Sequence, residues 1–599
     1  MSEHSSISAT NGSLRRRSSS GTVGTVGTGH DGHRGSVDDL SGSESVNDNS
    51  NNNNNNNNTT TNNNDDNNDP GRPVADQDLP RKKQKRNKPT LNCRECVNRK
   101  TKGRESMRAR DRETAFPFLL ASMPSAQKNA SNPLGIGSRH PFSNYWTCQG
   151  GLAEVVSVLP SKDQSDILLS KYFDSVDPVY PMIHKETFRA DYEHFWASPP
   201  SEREKADPAL VALMFAILAM GTQFIKLPSK KERAQTAEFY ASASNQALIM
   251  FSYLNKASIR SIQALLLVIY FLMNDNHALD AYSVAGIVVR QAYALGLHRD
   301  PHIISPSITA EEITQRLKLW QAVHYQDTFL TVLLNLPPST THTDVRVEDL
   351  GVDDDDDSSD IMFIKVAWRL ADLVQSTLCT ARSLGLPISH SARHKAKLVA
   401  EFGSLYASFP AQFRDWDDES LCARAVHDKR SVLQTLFLTS NYFHSLMLLH
   451  QDDGPEHQHQ VDGSPLSSII DQLDAAHHAI NSYFLMYRLF ESESTIWWVF
   501  QHRAVMETLT VARLLKVASQ MPLQNRTPQS PSEDIHKVPA TSTNSTSSST
   551  STTDTSNHPI FIRARSDVQH MLHILQHRAS LDEPDEPIKS WVALLSQQV

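Results

Sequence analysis

The sequence lacks a long hydrophobic run. Hydrophobic residues make up 39% of the 599 residues, below the roughly 45–50% that is usual for soluble domains. The longest apolar runs, Ala209–Met220 and Ala264–Met273, have twelve and ten residues, whereas a membrane-spanning helix needs about 18 or more. Residues 1–20 are polar and charged with no apolar stretch behind them. We therefore expect neither a membrane helix nor a secretory signal.

Cysteine is scarce as well, with five in the whole chain. A small, odd number argues against a disulfide framework and favours a reducing compartment. The nucleophile motif Gly-x-Ser-x-Gly and the metal motif His-Glu-x-x-His are both missing, and the glycine-rich residues 21–32 lack the Gly-Lys-Ser/Thr of a phosphate-binding loop. These absences predict a protein that is not an enzyme.

Basic charge is concentrated near the N-terminus. Residues 1–114 carry a net charge of +4 and the remainder −13, and residues 81–112 hold 14 Lys and Arg against 3 acidic residues. Such a block is typical of a nuclear import signal or a nucleic-acid contact, because neutralising phosphates releases counterions. A solvated basic linker is the alternative. The residues expected to direct import are Arg81, Lys82, Lys83, Lys85, Arg86 and Lys88.

A cysteine pair follows this basic cluster. Cys93 and Cys96 are spaced so that their thiolates can share one tetrahedral metal ion. Together with the basic residues after it, the pair resembles the first half of the six-cysteine binuclear zinc cluster of fungal transcription factors. The resemblance implies that both cysteines bind zinc and that the DNA contacts come from Arg94, Arg99, Lys100 and Lys102.

The zinc-cluster pattern stops after its first half. Gly103 stands where the family has its third cysteine, and the next cysteine is Cys148. Two ligands of six cannot hold two zinc ions, so we expect weak zinc binding and DNA binding that is salt-dependent and nearly indifferent to sequence. A lost or misassigned exon would explain the abrupt change after Lys102, and a chain that genuinely lacks the cluster is the alternative.

The chain becomes helical in period further on, and signals for strands are scarce. Helical spacing of apolar residues predicts helices at 208–224, 258–273 and 278–297, among others, within an all-α domain of about 156–520. The predicted architecture is a large helical bundle or solenoid-like domain. The other predicted segments are a disordered Asn/Ser-rich tail (1–80), a linker (113–155), an acidic loop (351–360), a disordered Ser/Thr-rich insertion (521–559) and C-terminal helices (560–599).

Three sequence blocks within these helices resemble the regulatory domain that follows zinc clusters in fungal transcription factors. They lie at 173–188, 286–300 and 316–327, and 441–450 resembles a later block. The resemblance covers about 160–450 and implies a domain that receives signals and contacts partners. Most of the motif residues are better explained by structure: Gly296 suits a left-handed helix end, and Phe188 and Trp320 suit a core.

The combined prediction is a nuclear, DNA-binding regulator of genes transcribed by RNA polymerase II. Its expected partners are DNA, co-regulators or the transcription machinery, and a second copy in a homodimer, with zinc as a doubtful cofactor. One alternative is a cluster-defective regulator that acts by sequestering partners, which Gly103 favours. The other is a helical scaffold or an unrecognised small-molecule enzyme, for which no acid, base or nucleophile is assembled in the sequence.

Overall fold

The computed structural model describes residues 146–226, 229–350, 359–451, 465–520, 558–580 and 586–598. Every regular element in these ranges is helical, and no strand occurs in them. The predicted all-α fold is therefore confirmed. The predicted tail, acidic loop and Ser/Thr-rich insertion lie wholly or almost wholly outside the described residues.

The first half of the body runs from residue 152 to residue 334. Its helices are α1 Leu152–Ser157, α2 Lys162–Ser175, α3 Lys185–Ala197, α4 Pro200–Arg203, α5 Pro208–Phe224, α6 Lys230–Phe251, α7 Ile259–Asn274, α8 Ala278–Ala294, α9 Pro301–Ile304 and α10 Ala310–Leu334.

The second half begins at residue 359, after a short 3₁₀ turn at Val347–Asp349. Its helices are α11 Ser359–Val374, continued through a π turn at Gln375–Cys379 into α12 Thr380–Ser383, then α13 Ala392–Ala407, α14 Ala411–Arg414, α15 Asp418–Ala425, α16 Lys429–His450, α17 Pro465–Leu489, α18 Glu491–Ser494, α19 Trp498–Gln520, α20 Pro559–Ala579 and α21 Glu586–Gln598.

Helix α5 forms the centre of the first half. Pro208 opens it, where a missing N–H costs nothing, and the Asp207 carboxylate caps it by accepting from Ala209 N at 3.0 Å. Every residue from Ala209 to Phe224 is buried, and α5 packs against α2, α6 and α7. Gly221 permits the approach of α2, because a Cβ there would lie 2.2 Å from the carbonyl oxygen of Leu168.

The second half is assembled around helices α16, α17 and α19. Helix α17 packs between α16 and α19, and α20 and α21 cover α19 from the other side. Helices α10 and α11 connect the two halves, and α7 reaches α19 directly. The buried apolar side chains of both halves form one continuous core.

Two helix ends match the sequence signals predicted for them. Gly296, after α8, has a φ of +71°, a left-handed conformation that favours glycine. Thr309 begins α10 by accepting through its hydroxyl from Glu312 N at 3.2 Å. This is the first bond of a capping box, for which Thr309 and Glu312 have the Thr-x-x-Glu spacing.

Candidate ligand cavity

The residues predicted to bind zinc, DNA and the import machinery all lie between 81 and 102, outside the described residues. Their chemistry is therefore judged from the donor set. Cys93 and Cys96 supply two thiols, half of what one structural zinc takes. The next cysteine, Cys148, donates its thiol hydrogen to Gly151 O at 3.2 Å and faces Glu154 Oε2 at 3.3 Å. Burial and this carboxylate raise the pKa of the Cys148 thiol, so it is a poor third ligand, and the set does not fit a binuclear zinc cluster.

Several residues of the family blocks contribute to packing or hold a loop in place. Phe188 and Trp320 are buried in the core, and Trp320 Nε1 donates to Thr343 Oγ1 at 3.1 Å. Asp327 holds the loop after α10, because its Oδ2 accepts from the backbone N–H of Ser339 and of Thr340, each at 2.7 Å. These side chains set the packing of α10 against its neighbours.

Asp177 joins the first family block to the second half of the body. It is buried, and Arg430 at the start of α16 contacts its Oδ2 at 2.8 Å and Asp360 Oδ1 at 2.6 Å. Burial raises the pKa of Asp177 to about 6 although Arg430 opposes the shift. The pair therefore fixes the α2–α3 turn against α11 and α16.

A narrow cavity lies where the two halves meet. Its volume, measured for the centre of a water-sized sphere, is about 40 Å³, which is room for a few water molecules at roughly 10–15 Å³ each. Seven of its fourteen lining residues are aromatic. The lining residues are Tyr180, Tyr270, Met273, Asn274, Tyr325, Gln326, Phe329, Leu330, Phe437, Asn441, Trp497, Val499, Phe500 and Arg503.

The aromatic walls of the cavity are closely packed. The rings of Tyr180 and Tyr270 stack with centroids 3.5 Å apart and an angle of 14°. On the other side Phe437 stacks on Phe500, with centroids 4.7 Å apart and an angle of 12°. Four of the lining residues, Tyr180, Asn274, Phe329 and Val499, are only partly buried, so the cavity lining reaches solvent at these residues.

One residue that lines the cavity, Arg503, is a buried cation. Arg503, on α19, is 6% exposed, and its two Nη atoms donate to Asn441 Oδ1 and Ser440 Oγ on α16. Asn441 in turn donates from Nδ2 to the hydroxyl of Tyr325. Burial lowers the pKa of Arg503. Among the described residues, no carboxylate lies within the 4.0 Å of an ion pair with this guanidinium.

Three donors around the cavity have no hydrogen-bond partner among the described residues. They are Arg503 Nε, the Tyr270 hydroxyl and Trp497 Nε1, and all three side chains line the cavity. Tyr270 and Trp497 are each 3% exposed, and an unsatisfied buried donor costs about 1–3 kcal/mol. The cavity therefore has hydrogen-bonding capacity that the protein itself leaves unused.

A second polar group lies one turn further along α19. Glu507 is fully buried, and its Oε1 lies 2.7 Å from His444 Nδ1. Burial lowers the pKa of His444 despite this carboxylate. Neighbouring His502 is also fully buried, neither ring nitrogen has a partner among the described residues, and burial lowers its pKa to about 3. Both histidines are thus neutral near pH 7.

The described ranges contain no group of three or more His, Cys, Asp or Glu side chains positioned to hold a metal ion. None of their helices is long and apolar enough to cross a membrane.

Sequence reasoning did not identify the cavity. Its residues come from five distant segments, and nothing in the spacing of Tyr270, Asn441 and Arg503 shows that they meet. One signal was present: Arg503 and Glu507, four residues apart, place two charges on a helix face that also carries Phe500. A charge on a core-facing position of a helix indicates a buried polar site.

Part of the helical body matches a known family. Residues 169–386 match the family described as fungal specific transcription factor domain. The three sequence blocks that predicted a similarity to this family lie within the matched residues. The match includes the cavity residues from α7 and α10 but ends before α16 and α19, which supply Asn441 and Arg503.

Several known transcription factors are similar to part of the chain. The Zn(2)-C6 fungal-type transcription factor mpsB of Macrophomina phaseolina is 24% identical over 329 residues, 50% of this chain and 42% of the relative. Transcription factor yanR of Aspergillus niger is 28% identical over 34% of this chain and 27% of its own length. The equisetin cluster transcription factor eqxF of Fusarium heterosporum is 28% identical over 35% and 31%. The similarity thus spans less than half the length of each relative.

Proposed function

We propose that this chain is a nuclear transcription regulator whose helical body is the regulatory part. The observation that carries the proposal is the match of residues 169–386 to the fungal specific transcription factor domain. The names of similar proteins agree with it.

DNA contact is assigned to the basic segment 81–112. Its 14 Lys and Arg give phosphate affinity, but Cys93 and Cys96 alone provide no folded cluster to direct Arg99, Lys100 and Lys102 at base edges. Binding of DNA is therefore expected to be weak, to fall steeply with salt and to be nearly indifferent to sequence. Zinc, if bound, is held by an open two-thiol site.

The regulatory role is tested by recruiting the full chain to a promoter. Fused to an unrelated sequence-specific DNA-binding domain, it should change transcription of a reporter carrying the matching site several-fold. The same fusion directed to a reporter without the site is the control. Unchanged transcription from the matched reporter would reject the regulatory role, whatever the chain does on DNA by itself.

Nuclear import is tested with two sets of four substitutions. Replacing Lys82, Lys83, Lys85 and Arg86 by Ala should abolish nuclear accumulation, since a chain of 66.9 kDa is too large to rely on diffusion. The control replaces Arg104, Arg108, Arg110 and Arg112, which removes the same charge from the same segment. Equal loss in both sets would show that total charge, and not this cluster, directs import.

A cluster-defective regulator that never reads DNA is the second candidate, and Gly103 is the observation that favours it. Mobility-shift titrations over a salt series separate the two, because the first candidate predicts a salt-dependent shift of DNA and the second predicts none. Replacing Arg99, Lys100 and Lys102 should lower the salt slope by about 3, at roughly 0.9 per phosphate contact, and replacing Arg104, Arg108 and Arg110 should lower it equally. Selectivity for one DNA sequence that only the first set removes would contradict non-specific binding.

A further inference from the structure

The cavity between α7, α10, α16 and α19 has an unbalanced set of polar groups. Its fourteen lining residues include one cation, Arg503, and no Asp or Glu. A guanidinium has five N–H donors. Nη1 and Nη2 of Arg503 each make one hydrogen bond to the protein, and Nε has no partner among the described residues. The partner missing from this site is therefore expected to be a small anion.

The unpartnered donors of the cavity suit an acceptor of limited size. Besides Arg503 Nε, the Tyr270 hydroxyl and Trp497 Nε1 line the same cavity without partners among the described residues. A carboxylate has two oxygens with about four acceptor positions, which such a set of donors can satisfy. A phosphate dianion would bring two charges to a single cation in a desolvated site, and this is costly.

The aromatic lining residues determine which shape of ligand body the cavity can accept. Seven lining residues are aromatic, including the donors Tyr270 and Trp497, and Tyr180 and Tyr270 are already in stacking contact, with centroids 3.5 Å apart. A flat unsaturated body can stack on an aromatic face. Because the cavity volume is only about 40 Å³, binding must displace its water and move the partly exposed Tyr180 and Val499.

We propose that this cavity binds a small carboxylate with a flat apolar body, whose carboxylate is held by Arg503, Tyr270 and Trp497 and whose body lies between the aromatic walls. Glu507, one turn along α19, is the nearest buried carboxylate, and its charge favours the charged form of Arg503 by raising its pKa. It is not among the lining residues, and its Oε1 lies 2.7 Å from His444 Nδ1. The biological purpose of this site, though not its existence, rests on the proposed regulatory function.

The first test is calorimetric titration of the full chain with benzoate, a flat aromatic monocarboxylate. Benzamide has the same shape without the charge, acetate has the charge without the ring, and inorganic phosphate tests other anions. Saturable binding of benzoate at least tenfold tighter than that of the other three would support the proposal. No binding of benzoate, or equal binding of benzamide or phosphate, would overturn it and leave water as the partner of the three donors.

Substitutions locate the binding to this cavity. Arg503→Lys keeps the charge but loses the planar fork, and we expect at least tenfold weaker benzoate binding. The control is Arg578→Lys, because Arg578 is equally buried, at 6% exposed, and does not line the cavity. Equal affinity of the two variants would place the bound benzoate elsewhere.

A second variant is expected to test binding without disturbing the fold. Tyr270→Phe removes a hydroxyl that has no partner in the free protein, so it should leave the fold intact and weaken benzoate binding about tenfold. Tyr172→Phe removes another buried, unpartnered hydroxyl outside the cavity and should leave binding unchanged. The titrations can show no benzoate binding while the promoter fusion still changes reporter transcription, and the opposite outcome is also possible. The carboxylate site and the regulatory function are therefore tested independently.

Discussion

Helices α5 and α19 are both buried along most of their length, yet their interiors differ. Helix α5 buries sixteen consecutive residues, and its only polar side chains in that stretch are Thr222 and Gln223. Helix α19 buries Gln501, His502, Arg503 and Glu507 among its apolar residues. Apolar burial stabilises a fold, whereas buried charge usually costs stability. The first helix is explained by folding alone, and the second carries groups whose presence folding does not explain.

The largest expected effect is a cavity made in α5. Phe215 is fully buried, and Phe215→Ala should lower the free energy of unfolding by about 3–5 kcal/mol, as large-to-small changes in a core do. Ile167→Ala on α2 is the control, because Ile167 is 58% exposed. Urea unfolding of both variants measures the difference. A cost below about 1 kcal/mol for Phe215→Ala would mean that α5 is not the packed centre described above.

The second largest loss of stability is expected at the close contact between α2 and α5. A Cβ at Gly221 would lie 2.2 Å from the Leu168 carbonyl oxygen, so Gly221→Ala should cost about 1–3 kcal/mol by overpacking. At Gly286, within α8, a Cβ meets nothing within 4 Å. Gly286→Ala should instead stabilise by up to about 1 kcal/mol, the helix preference of Ala over Gly. Denaturation midpoints falling in the same direction for both would contradict the close contact.

His502 should make the stability of the α19 side depend on pH. The pKa of His502 is about 3 in the folded protein and about 6.5 when unfolded, so the unfolded state binds more protons between these values. Its contribution is therefore full above pH 6.5 and is lost as pH falls toward 3. From pH 7 to pH 5, His502→Phe should gain about 2 kcal/mol of stability relative to the wild type.

The ring of His502 supports this choice of substitution. It stacks on Trp498 at 4.6 Å and lies 5.8 Å from the ring centre of Trp591, so a Phe ring can take its place. Urea unfolding at the two pH values gives the result, with exposed His302→Phe as the control. If the two variants show the same pH dependence relative to the wild type, His502 is not the titrating group.

The smallest effect is expected at the cavity. The Tyr270 hydroxyl is buried without a partner, so Tyr270→Phe should change the free energy of unfolding by no more than about 1 kcal/mol, and in the stabilising direction. Thermal unfolding in the absence of carboxylates measures it. A loss of more than about 1 kcal/mol would mean that the hydroxyl already has a partner, and the cavity would then lose one of its three donors.

The regular parts of this fold were predictable from local pattern. The run Ala209–Met220 is apolar on every face and became the central helix, and Gly296 ended α8 in the left-handed conformation predicted for it. The boundaries of α5 match the prediction because Asp207 and Pro208 are local signals. Helices with mixed faces, such as α6 with its many Ala and Ser residues, were not identified, because their burial depends on neighbours distant in sequence.

The cavity could not be predicted for a related reason. Arg503 contacts Asn441, 62 residues earlier, and no sequence period reports such a distance. The residues that sequence reasoning did single out, Cys93 through Lys102, carry short-range motifs and lie outside the described residues. Motif reading thus found the signals that are local in sequence, and the ligand cavity needed the tertiary arrangement.

The contact between Trp591 and His502 affects how the chain folds during translation. Trp591 on α21 closes over this ring, although 89 positions separate the two residues. A nascent chain therefore exposes Trp498 and His502 on α19 until α21 has been made. Domains generally fold as units, and incomplete ones expose apolar surface. We expect this face of α19 to be open to chaperone contact during translation until α21 covers it.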